Sequence, residues 1–344
     1  MFSILKPEKV ISNLKNFRTV LSKPQYAHLV VYILGIIIKE KTKKNIMVLS
    51  GLRMGERCQS SLNRFLTSAK WSINSVNSKR KSLLIKRPTC ILILDDTKIE
   101  KIGKKIEGSG RLKDYAKNRY VWCHNIVSTF FVNENEKHPL DLRIYLKKEV
   151  AQKLKTSFKT KITLAKELIS EAYEAIDIEL VIIDAWYFAN EFVKHLKELE
   201  LDWITRAKSN RLVYYDEKWI SLKSLTTKIP RVCYKKIWIK TDKIEYCYIY
   251  SIVLKMKKVG KVKIVISYNN PYDSEEEPYF LVSNRIDITP KQMIEYYKKC
   301  SIIETFYRDA KQHLGLGDYQ MKKLNGVVTH LHLVFLAYTR TMRA

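Results

Sequence analysis

The chain has 344 residues, of which 63 are Lys or Arg and 35 are Asp or Glu, so its formal net charge at pH 7 is +28. Hydrophobic residues make up 46% of the sequence, which excludes a disordered basic tail and allows about two or three packed domains. Such an excess of positive charge predicts a polyanionic partner, and nucleic acid is the first candidate.

Three features of the sequence bear on its compartment. The apolar stretch from Ala27 to Ile38 is too short to cross a bilayer, which needs about 20 residues, so it predicts a buried helix and no membrane partner. Residues Met1 to Ser22 lack the continuous apolar region of a secretory signal. The six cysteines are far apart and form no CxxC pair, which favours a reducing, cytoplasmic compartment.

The N-terminal quarter of the chain is predicted to be helical. Apolar residues recur at three- and four-residue intervals from Pro7 to about Arg87. Within this region, Ser60 to Leu66 followed by Trp71-Ser72 fits either a helix-turn-helix or an ordinary helical hairpin with a Ser cap. We expect residues 1–88 to form an N-terminal helical DNA-binding domain.

A change of pattern at Pro88 predicts the first strand of a sheet. Thr89 to Leu94 is an apolar run typical of a buried strand, and it ends in Asp95-Asp96-Thr97. A loop rich in Lys and Gly is expected from Lys98 to Arg119. The pattern then predicts strands at Tyr120 to Asn133, Leu140 to Tyr145, Glu179 to Ile183 and Asp202 to Arg206, and helices at Lys155 to Ile176 and Asn190 to Glu200.

The region from about 207 to 278 alternates in β-type pattern and is rich in Lys and Tyr, which predicts an inserted β subdomain. Tyr279 to Ser283 again has the pattern of a core strand, and the chain from Pro290 onward is predicted to be helical. These patterns predict a core formed by residues 89–206 and 279–344, interrupted by the insertion at 207–278.

Three carboxylates stand out as candidates for catalysis. Two predicted buried strands end in Asp95 and Asp184, and ligand sites in sheets with flanking helices lie beyond strand ends, so these side chains could meet. The third is Glu304, in a predicted helix whose residues at 297, 300, 304, 308 and 311 recur on one face. That face carries Tyr297, Arg308 and Lys311.

Three carboxylates brought together repel one another unless a cation neutralises them. A ligand set of oxygens without His or Cys favours Mg²⁺ or Mn²⁺ over zinc, and two such ions can serve phosphodiester chemistry. Each feature has a plainer interpretation: an Asp at a strand end is often a cap, and a face of Glu, Arg and Lys is often simply solvated.

The order of these segments resembles the DDE transposases of the IS4-type insertion-sequence superfamily. The matching segments are Asp95-x-Thr97, Asp184-Ala-Trp-Tyr187, and Tyr297-x₂-Cys300-x₃-Glu304-x₆-Lys311, with Gly315-Leu-Gly317 and Tyr279-Phe-Leu-Val-Ser-Asn284 in support. The resemblance runs from about residue 88 to the end. It implies an α/β fold with an RNase H-like mixed sheet flanked by helices and interrupted by a mainly β subdomain.

The resemblance also implies roles for individual residues. Asp95, Asp184 and Glu304 would be the catalytic metal ligands, with Asp96 as the alternate to Asp95, although the Asp-x-Thr pattern favours Asp95. Tyr297, Lys299, Arg308 and Lys311 would contact DNA. The sequence departs from the family signature at Cys300, which stands where the family has Arg, and Lys299 beside it could compensate.

The function predicted from this resemblance is that of a DNA transposase, which cleaves transposon ends and transfers strands with two Mg²⁺ or Mn²⁺ ions. Its partners would be double-stranded DNA, as terminal inverted repeats and target, and a second copy of the chain as a homodimer. The expected location is the cytoplasm of a prokaryote, at the nucleoid. The alternatives are a catalytically decayed DNA-binding descendant and an RNase H-like nuclease.

Overall fold

The computed structural model describes residues 7–38, 43–51, 58–84, 89–103, 105–115, 117–240 and 244–341. The chain forms two compact units. Unit 1 comprises Met1–Pro88, Asp96–Leu164 and Ile303–Ala344, and unit 2 comprises Thr89–Asp95 and Ala165–Ile302. The predicted domain boundaries, after residues 88, 206 and 278, stay predictions.

The helices of the described chain are, in order, α1 (Pro7–Leu14), α2 (Lys23–Ile38), α3 (Ile46–Ser50), α4 (Gln59–Thr67), α5 (Ile73–Leu84), α6 (Lys148–Lys153), α7 (Lys161–Tyr173), α8 (Asn190–Glu198), α9 (Leu222–Thr226), α10 (Pro290–Lys298), α11 (Ser301–His313) and α12 (Leu324–Thr341). Short 3₁₀ helices lie at Lys15–Thr19, Ala185–Tyr187 and Arg231–Cys233.

The strands are β1 (Cys90–Glu100), β2 (Gly110–Asp114), β3 (Arg119–Val132), β4 (Lys137–Tyr145), β5 (Ile178–Ile183), β6 (Trp203–Arg206), β7 (Leu212–Tyr215), β8 (Lys218–Ser221), β9 (Lys235–Lys240), β10 (Ile244–Met256), β11 (Gly260–Tyr268) and β12 (Tyr279–Ser283). Within the described chain, no helix is long and apolar enough to span a membrane.

Unit 1 is built around α12, which packs against α2, α4, α5 and β4. The predicted helical character of the N-terminal region is confirmed for the described residues, and its predicted end at Arg87 lies outside them. Arg80 of α5 is buried and donates hydrogen bonds to the carbonyl oxygens of Pro139 and Leu140, so it joins α5 to β4. Buried polar groups need such partners, because an unpaired one costs about 1–3 kcal/mol.

The predicted loop from Lys98 to Arg119 is shorter than expected. Strand β1 continues to Glu100, and the short strand β2 pairs antiparallel with the start of β3. Strand β3 in turn pairs antiparallel with β4. The sequence pattern did not predict β2 because this five-residue strand has a single apolar side chain, Leu112, and therefore no apolar alternation.

Unit 2 contains a mixed sheet in which the N-terminal part of β1 pairs parallel with β5, and β5 pairs parallel with β6. Antiparallel strands then follow in the order β12, β11, β10, β7 and β8, and β9 also pairs with β10. The predicted apolar strands are confirmed here: Leu92 and Leu180 are fully buried. Five of the strands, β7 to β11, lie within the predicted insertion.

The β-rich region contains two antiparallel hairpins. Strands β9 and β10 pair antiparallel, and their connection at 241–243 lies outside the described residues. Strands β10 and β11 pair from Tyr248 with Tyr268 to Met256 with Gly260. Gly260 has φ of +110°, a conformation that side-chain-bearing residues rarely adopt, so glycine is needed at this turn.

Candidate active site

The two predicted strand-end carboxylates lie side by side in unit 2. Strands β1 and β5 run parallel, and their register pairs Leu94 with Ile183. Asp95 is the next residue of β1 and Asp184 directly follows the end of β5, and adjacent strands are about 4.8 Å apart. Paired positions share a face of the sheet, so both carboxylates are presented at the same carboxyl-terminal edge, where both residues are half-buried.

An arginine continues this row on the third parallel strand. Strands β5 and β6 pair Ile183 with Thr205, so Arg206 follows in register beside Asp184. The Arg206 guanidinium carbon lies 4.2 Å from the centroid of the Tyr279 ring, on β12. The sequence pattern predicts a strand that ends at Arg206 but indicates no role for this residue. The detectable signal was a cation at the end of a strand next to the one that ends in Asp184.

The Asp184 carboxylate is oriented by the backbone that follows it. Its Oδ2 accepts a hydrogen bond of 2.9 Å from the backbone N–H of Trp186, so Asp184 caps the 3₁₀ helix Ala185–Tyr187. Tyr187 is buried and anchors this turn, while Trp186 is exposed. The carboxyl group is therefore held at the strand end by a cap, which also agrees with the plainer interpretation of an Asp in this position.

Tyr297 lies close to Asp184, also in unit 2. Its side chain is hydrogen-bonded to Tyr279, and the two ring centroids are 6.2 Å apart in a T-shaped arrangement. Burial raises the pKa of Tyr297 far above its ordinary value, and the negative charge of Asp184 adds to the rise. The same two effects raise the pKa of Tyr279. Both phenols therefore stay protonated, and Tyr297 is a hydrogen-bond donor near the strand-end carboxylate.

The helix predicted to carry Tyr297 through Lys311 on one face is two helices. Helix α10 ends at Lys298 and α11 begins at Ser301. Between them the backbone N–H of Lys299 and of Cys300 donate to carbonyl oxygens three residues back, which is a tightened 3₁₀-type turn. Tyr297, Lys299 and Cys300 belong to unit 2, whereas Glu304 belongs to unit 1. The Lys299 ammonium lies 5.1 Å from the Tyr296 ring centroid.

Helix α11 presents Glu304 from an amphipathic framework in unit 1. One face is buried and carries Ile303, Phe306, Tyr307 and Ala310. Phe306 packs against four aromatic rings, and the Tyr307 hydroxyl is 2.8 Å from that of Ser128.

The opposite face of α11 holds three predicted site residues, Glu304, Arg308 and Lys311, which are exposed as the spacing predicts. Glu304 is in the first turn of the helix, where the helix dipole favours a negative charge. Arg308 lies 3.7 Å from the Asp309 carboxylate.

Lys311 contacts the strand that carries the first aspartates. Its Nζ donates a hydrogen bond of 2.8 Å to the Thr97 hydroxyl on β1. The side chain is exposed along its length, but its ammonium end is partly enclosed, and this burial lowers the pKa of Lys311, helped by the positive charge of Lys117. The contact joins the last residue of the Glu304-x₆-Lys311 segment to the Asp-x-Thr segment.

Asp96, the alternate to Asp95, already has a cationic partner in unit 1. Its Oδ2 accepts hydrogen bonds of 2.7 Å from Lys161 Nζ and 2.7 Å from Asn125 Nδ2. The side chains of Lys161 and Asp96 are 16% and 15% exposed, so the ion pair is largely removed from water. Asp96 therefore has a structural partner that accounts for its charge.

A divalent metal fits the donor chemistry of the strand ends. Asp95 and Asp184 offer carboxylate oxygens without nitrogen or sulfur ligands among their register neighbours, and hard cations such as Mg²⁺ prefer such oxygens. Among the residues that the structure describes, no group of three or more His, Cys, Asp or Glu side chains is placed to hold a metal ion. Two of the three predicted ligands are thus neighbours in unit 2, and Glu304 lies in unit 1.

These features define a class of protein. A mixed α/β sheet flanked by helices, with neighbouring parallel strands that end in carboxylates, is an RNase H-like fold, as the sequence predicted.

The chain belongs to the DDE transposase family: the model of the family described as "Transposase DDE domain" matches residues 86–340. The chain is also 25% identical over 309 residues to a probable transposase for insertion sequence element IS701 from Microchaete diplosiphon. The matched region covers 83% of this chain and 73% of that protein. The protein is therefore a DNA transposase, an enzyme of DNA cleavage and strand transfer. The family uses divalent metal ions and acts on DNA.

Proposed function

We propose that Asp95, Asp184 and Glu304 are the catalytic carboxylates of this transposase and that they hold two Mg²⁺ or Mn²⁺ ions. The observation that supports the proposal is the parallel register of β1 and β5, which pairs Leu94 with Ile183, the residues directly before Asp95 and Asp184. The assignment of Glu304 is supported by its exposed position in the first turn of α11, a helix whose other face is buried in the core. When bound, the ions would activate the attacking hydroxyl and stabilise the leaving oxygen.

Asp95 is favoured over Asp96 as the metal ligand. Asp96 is paired with Lys161 and accepts a further bond from Asn125, so recruiting it to a metal would leave a largely buried ammonium without its carboxylate. Asp95, in contrast, directly follows Leu94, whose register partner Ile183 directly precedes Asp184.

Five side chains are proposed to hold the DNA backbone: Tyr297, Lys299, Arg308, Lys311 and Arg206. Tyr297 supplies a protonated phenol, and Lys299 and Arg308 supply positive charges that flank the helix break and Glu304. Arg206 supplies a guanidinium near the position where Cys300 lacks one. Tyr279 links these groups, because Arg206 stacks on its ring and Cys300 contributes to the shift of its pKa.

The proposed substrates are the terminal inverted repeats of an insertion sequence and a target duplex. The IS4-type superfamily remains the proposed subgroup, since the segment order of the sequence agrees with it. We propose that the enzyme acts as a homodimer on DNA, because two element ends must be held together, and that it works at the prokaryotic nucleoid, where such an element lies. Residues 1–88 are proposed to bind the element ends.

Cleavage of labelled duplexes that carry the element's own ends tests these assignments. We expect nicking that requires Mg²⁺ or Mn²⁺ and is lost in Asp184→Asn and Glu304→Gln. Asp216→Asn is the matched control, because Asp216 is exposed in a turn with φ of +48°, which asparagine also accepts. Metal-dependent nicking by either site variant at the wild-type rate would remove that residue from the catalytic set.

A further inference from the structure

A cationic surface lies on the β2–β3 hairpin, which belongs to unit 1. The register pairs Lys113 with Tyr120 and Arg111 with Trp122, and paired residues share a face of the hairpin. Tyr115 lies in the turn directly after β2. Arg111, Lys113, Tyr115 and Tyr120 are all exposed. We call these four residues the hairpin surface.

The two cations of the hairpin surface are held by aromatic rings. The Arg111 guanidinium carbon is 4.9 Å from the Tyr120 ring centroid, and Lys113 Nζ is 5.2 Å from that of Tyr115. Within the part of the chain that the structure describes, neither cation has an ion pair. Stacking on a ring restricts the side chain without neutralising its charge. Both charges are thus oriented and remain available to an anion.

The turn of the hairpin lies near helix α11. Lys117 and Arg119, near its turn, pair with Glu100 at the end of β1. The charge of Lys117 also helps to lower the pKa of Lys311, so the hairpin turn lies close to that residue of α11. The hairpin surface is therefore part of the same unit and the same neighbourhood as the exposed face of α11 that is proposed to contact DNA.

We propose that the hairpin surface binds phosphate groups of duplex DNA independently of base sequence, which makes it a second DNA contact besides the site residues. The proposal rests on the DNA transposase function and extends it. Two oriented cations without counter-charges match a polyanion with one charge per about 1.7 Å of duplex, and backbone contacts of this kind position DNA without reading its sequence. The hairpin itself is a two-stranded ribbon, a shape that duplex grooves accommodate.

A purely structural role for these charges is the competing explanation. Strand β2 is an edge strand of the sheet. Exposed edge strands often carry Lys, which discourages pairing with other chains. In that case removal of the charges would promote aggregation and leave DNA binding as it was.

The test measures binding of the full chain to a random-sequence duplex by fluorescence anisotropy across a salt series. The variant is Arg111→Gln with Lys113→Gln. The control is Lys194→Gln with Lys291→Gln, which removes the same charge where a glutamate four residues on already lies 3.7 Å and 4.0 Å away. Loss of two phosphate contacts should lower the slope of log affinity against log salt by about 1.8, or about twelvefold over a fourfold change in salt.

A slope that stays at the wild-type value in the hairpin variant, while the control is also unchanged, overturns the proposal. The same holds if the variant loses binding to a polyglutamate chain and not to DNA, since that would assign the surface to an acidic protein. A shallow slope in the wild-type protein would instead count against DNA as the partner of the whole chain. Tyr115→Phe with Tyr120→Phe keeps the rings and should retain the wild-type slope.

Discussion

Substitution of Asp95 and of Asp96 by asparagine should give opposite results, although the two residues are adjacent. Asp95→Asn should abolish metal-dependent cleavage. Asp96→Asn should retain much of the cleavage but destabilise the protein, because Lys161 loses the carboxylate that lies 2.7 Å from its ammonium.

The expected loss of stability in Asp96→Asn is about 2 kcal/mol. A hydrogen bond to a charged group contributes about 1.5–3 kcal/mol, and breaking a fully buried ion pair costs about 3–5 kcal/mol. The Lys161 and Asp96 side chains are 16% and 15% exposed, so solvent reduces the cost toward the lower range. The asparagine side chain can still accept one bond from Asn125 or Lys161, which reduces it further.

Thermal unfolding and nicking of an end duplex, measured on both variants, are the assays. A loss of about 2 kcal/mol corresponds to a fall in melting temperature of about 4–8 °C for a unit of roughly 200 residues. The reasoning is refuted if Asp96→Asn is as stable as wild type, or if Asp96→Asn is inactive while Asp95→Asn still cleaves.

Three further outcomes are expected. Glu304→Gln should lower cleavage by at least about a thousandfold, equivalent to about 4 kcal/mol, with an unchanged melting temperature, and a change below tenfold would count against a metal-ligand role. Arg206→Lys should weaken binding of end DNA by about tenfold, because an ammonium cannot stack on Tyr279 as a guanidinium does; equal affinities would remove Arg206 from the DNA contacts. Burial lowers the pKa of Lys101 from 10.5 to about 7, so the unfolded chain binds more protons above pH 7 and stability should rise by about 1.5 kcal/mol from pH 7 to 8.5. Denaturant unfolding should show that Lys101→Met lacks this rise. If the variant keeps the wild-type pH dependence, the buried Lys101 ammonium is not its cause.

The strand-end pair was predictable from the sequence because its signals are local. Each strand is an apolar run that ends abruptly in an aspartate. Near-continuous apolar runs are typical of parallel strands that are buried on both faces. Their adjacency needed one further assumption, that β1 and β5 are neighbours, and the register confirms it.

The helix break at Lys299 and Cys300 could not be predicted in the same way. No Pro or Gly interrupts the sequence between Tyr297 and Glu304, and the apolar spacing continues through it. The break is a tightened turn that keeps backbone hydrogen bonds, so it has no compositional signature.

The predicted helix from Lys155 to Ile176 was also wrong in its bounds, since the helical segments are α6, which ends at Lys153, and α7, which begins at Lys161. Here the run from Lys155 to Thr160 is polar and threonine-rich, and it is exposed in the structure.

Two other features depend on contacts between distant parts of the chain. Arg206 is a candidate site residue only because β6 pairs with β5 in the observed register, and sequence spacing cannot predict that register. Likewise, Lys311 was assigned to DNA by resemblance, whereas its hydrogen bond to Thr97 joins residues 214 positions apart. Periodicity within a helix or strand cannot predict a contact between residues so far apart in sequence. Gly315 is similar: its φ of +64° and the Lys44 side chain beside it leave no room for a Cβ, and the partner is far away in sequence.

The most direct test of the central claim is a crystal structure of the protein with an end duplex and Mn²⁺, in which anomalous scattering locates the metal. We predict Mn²⁺ peaks bound by the carboxylates of Asp95 and Asp184, with Glu304 completing the ligands and Asp96 still paired with Lys161. Metal peaks bound by Asp96, or peaks away from both Asp95 and Asp184, would contradict the account.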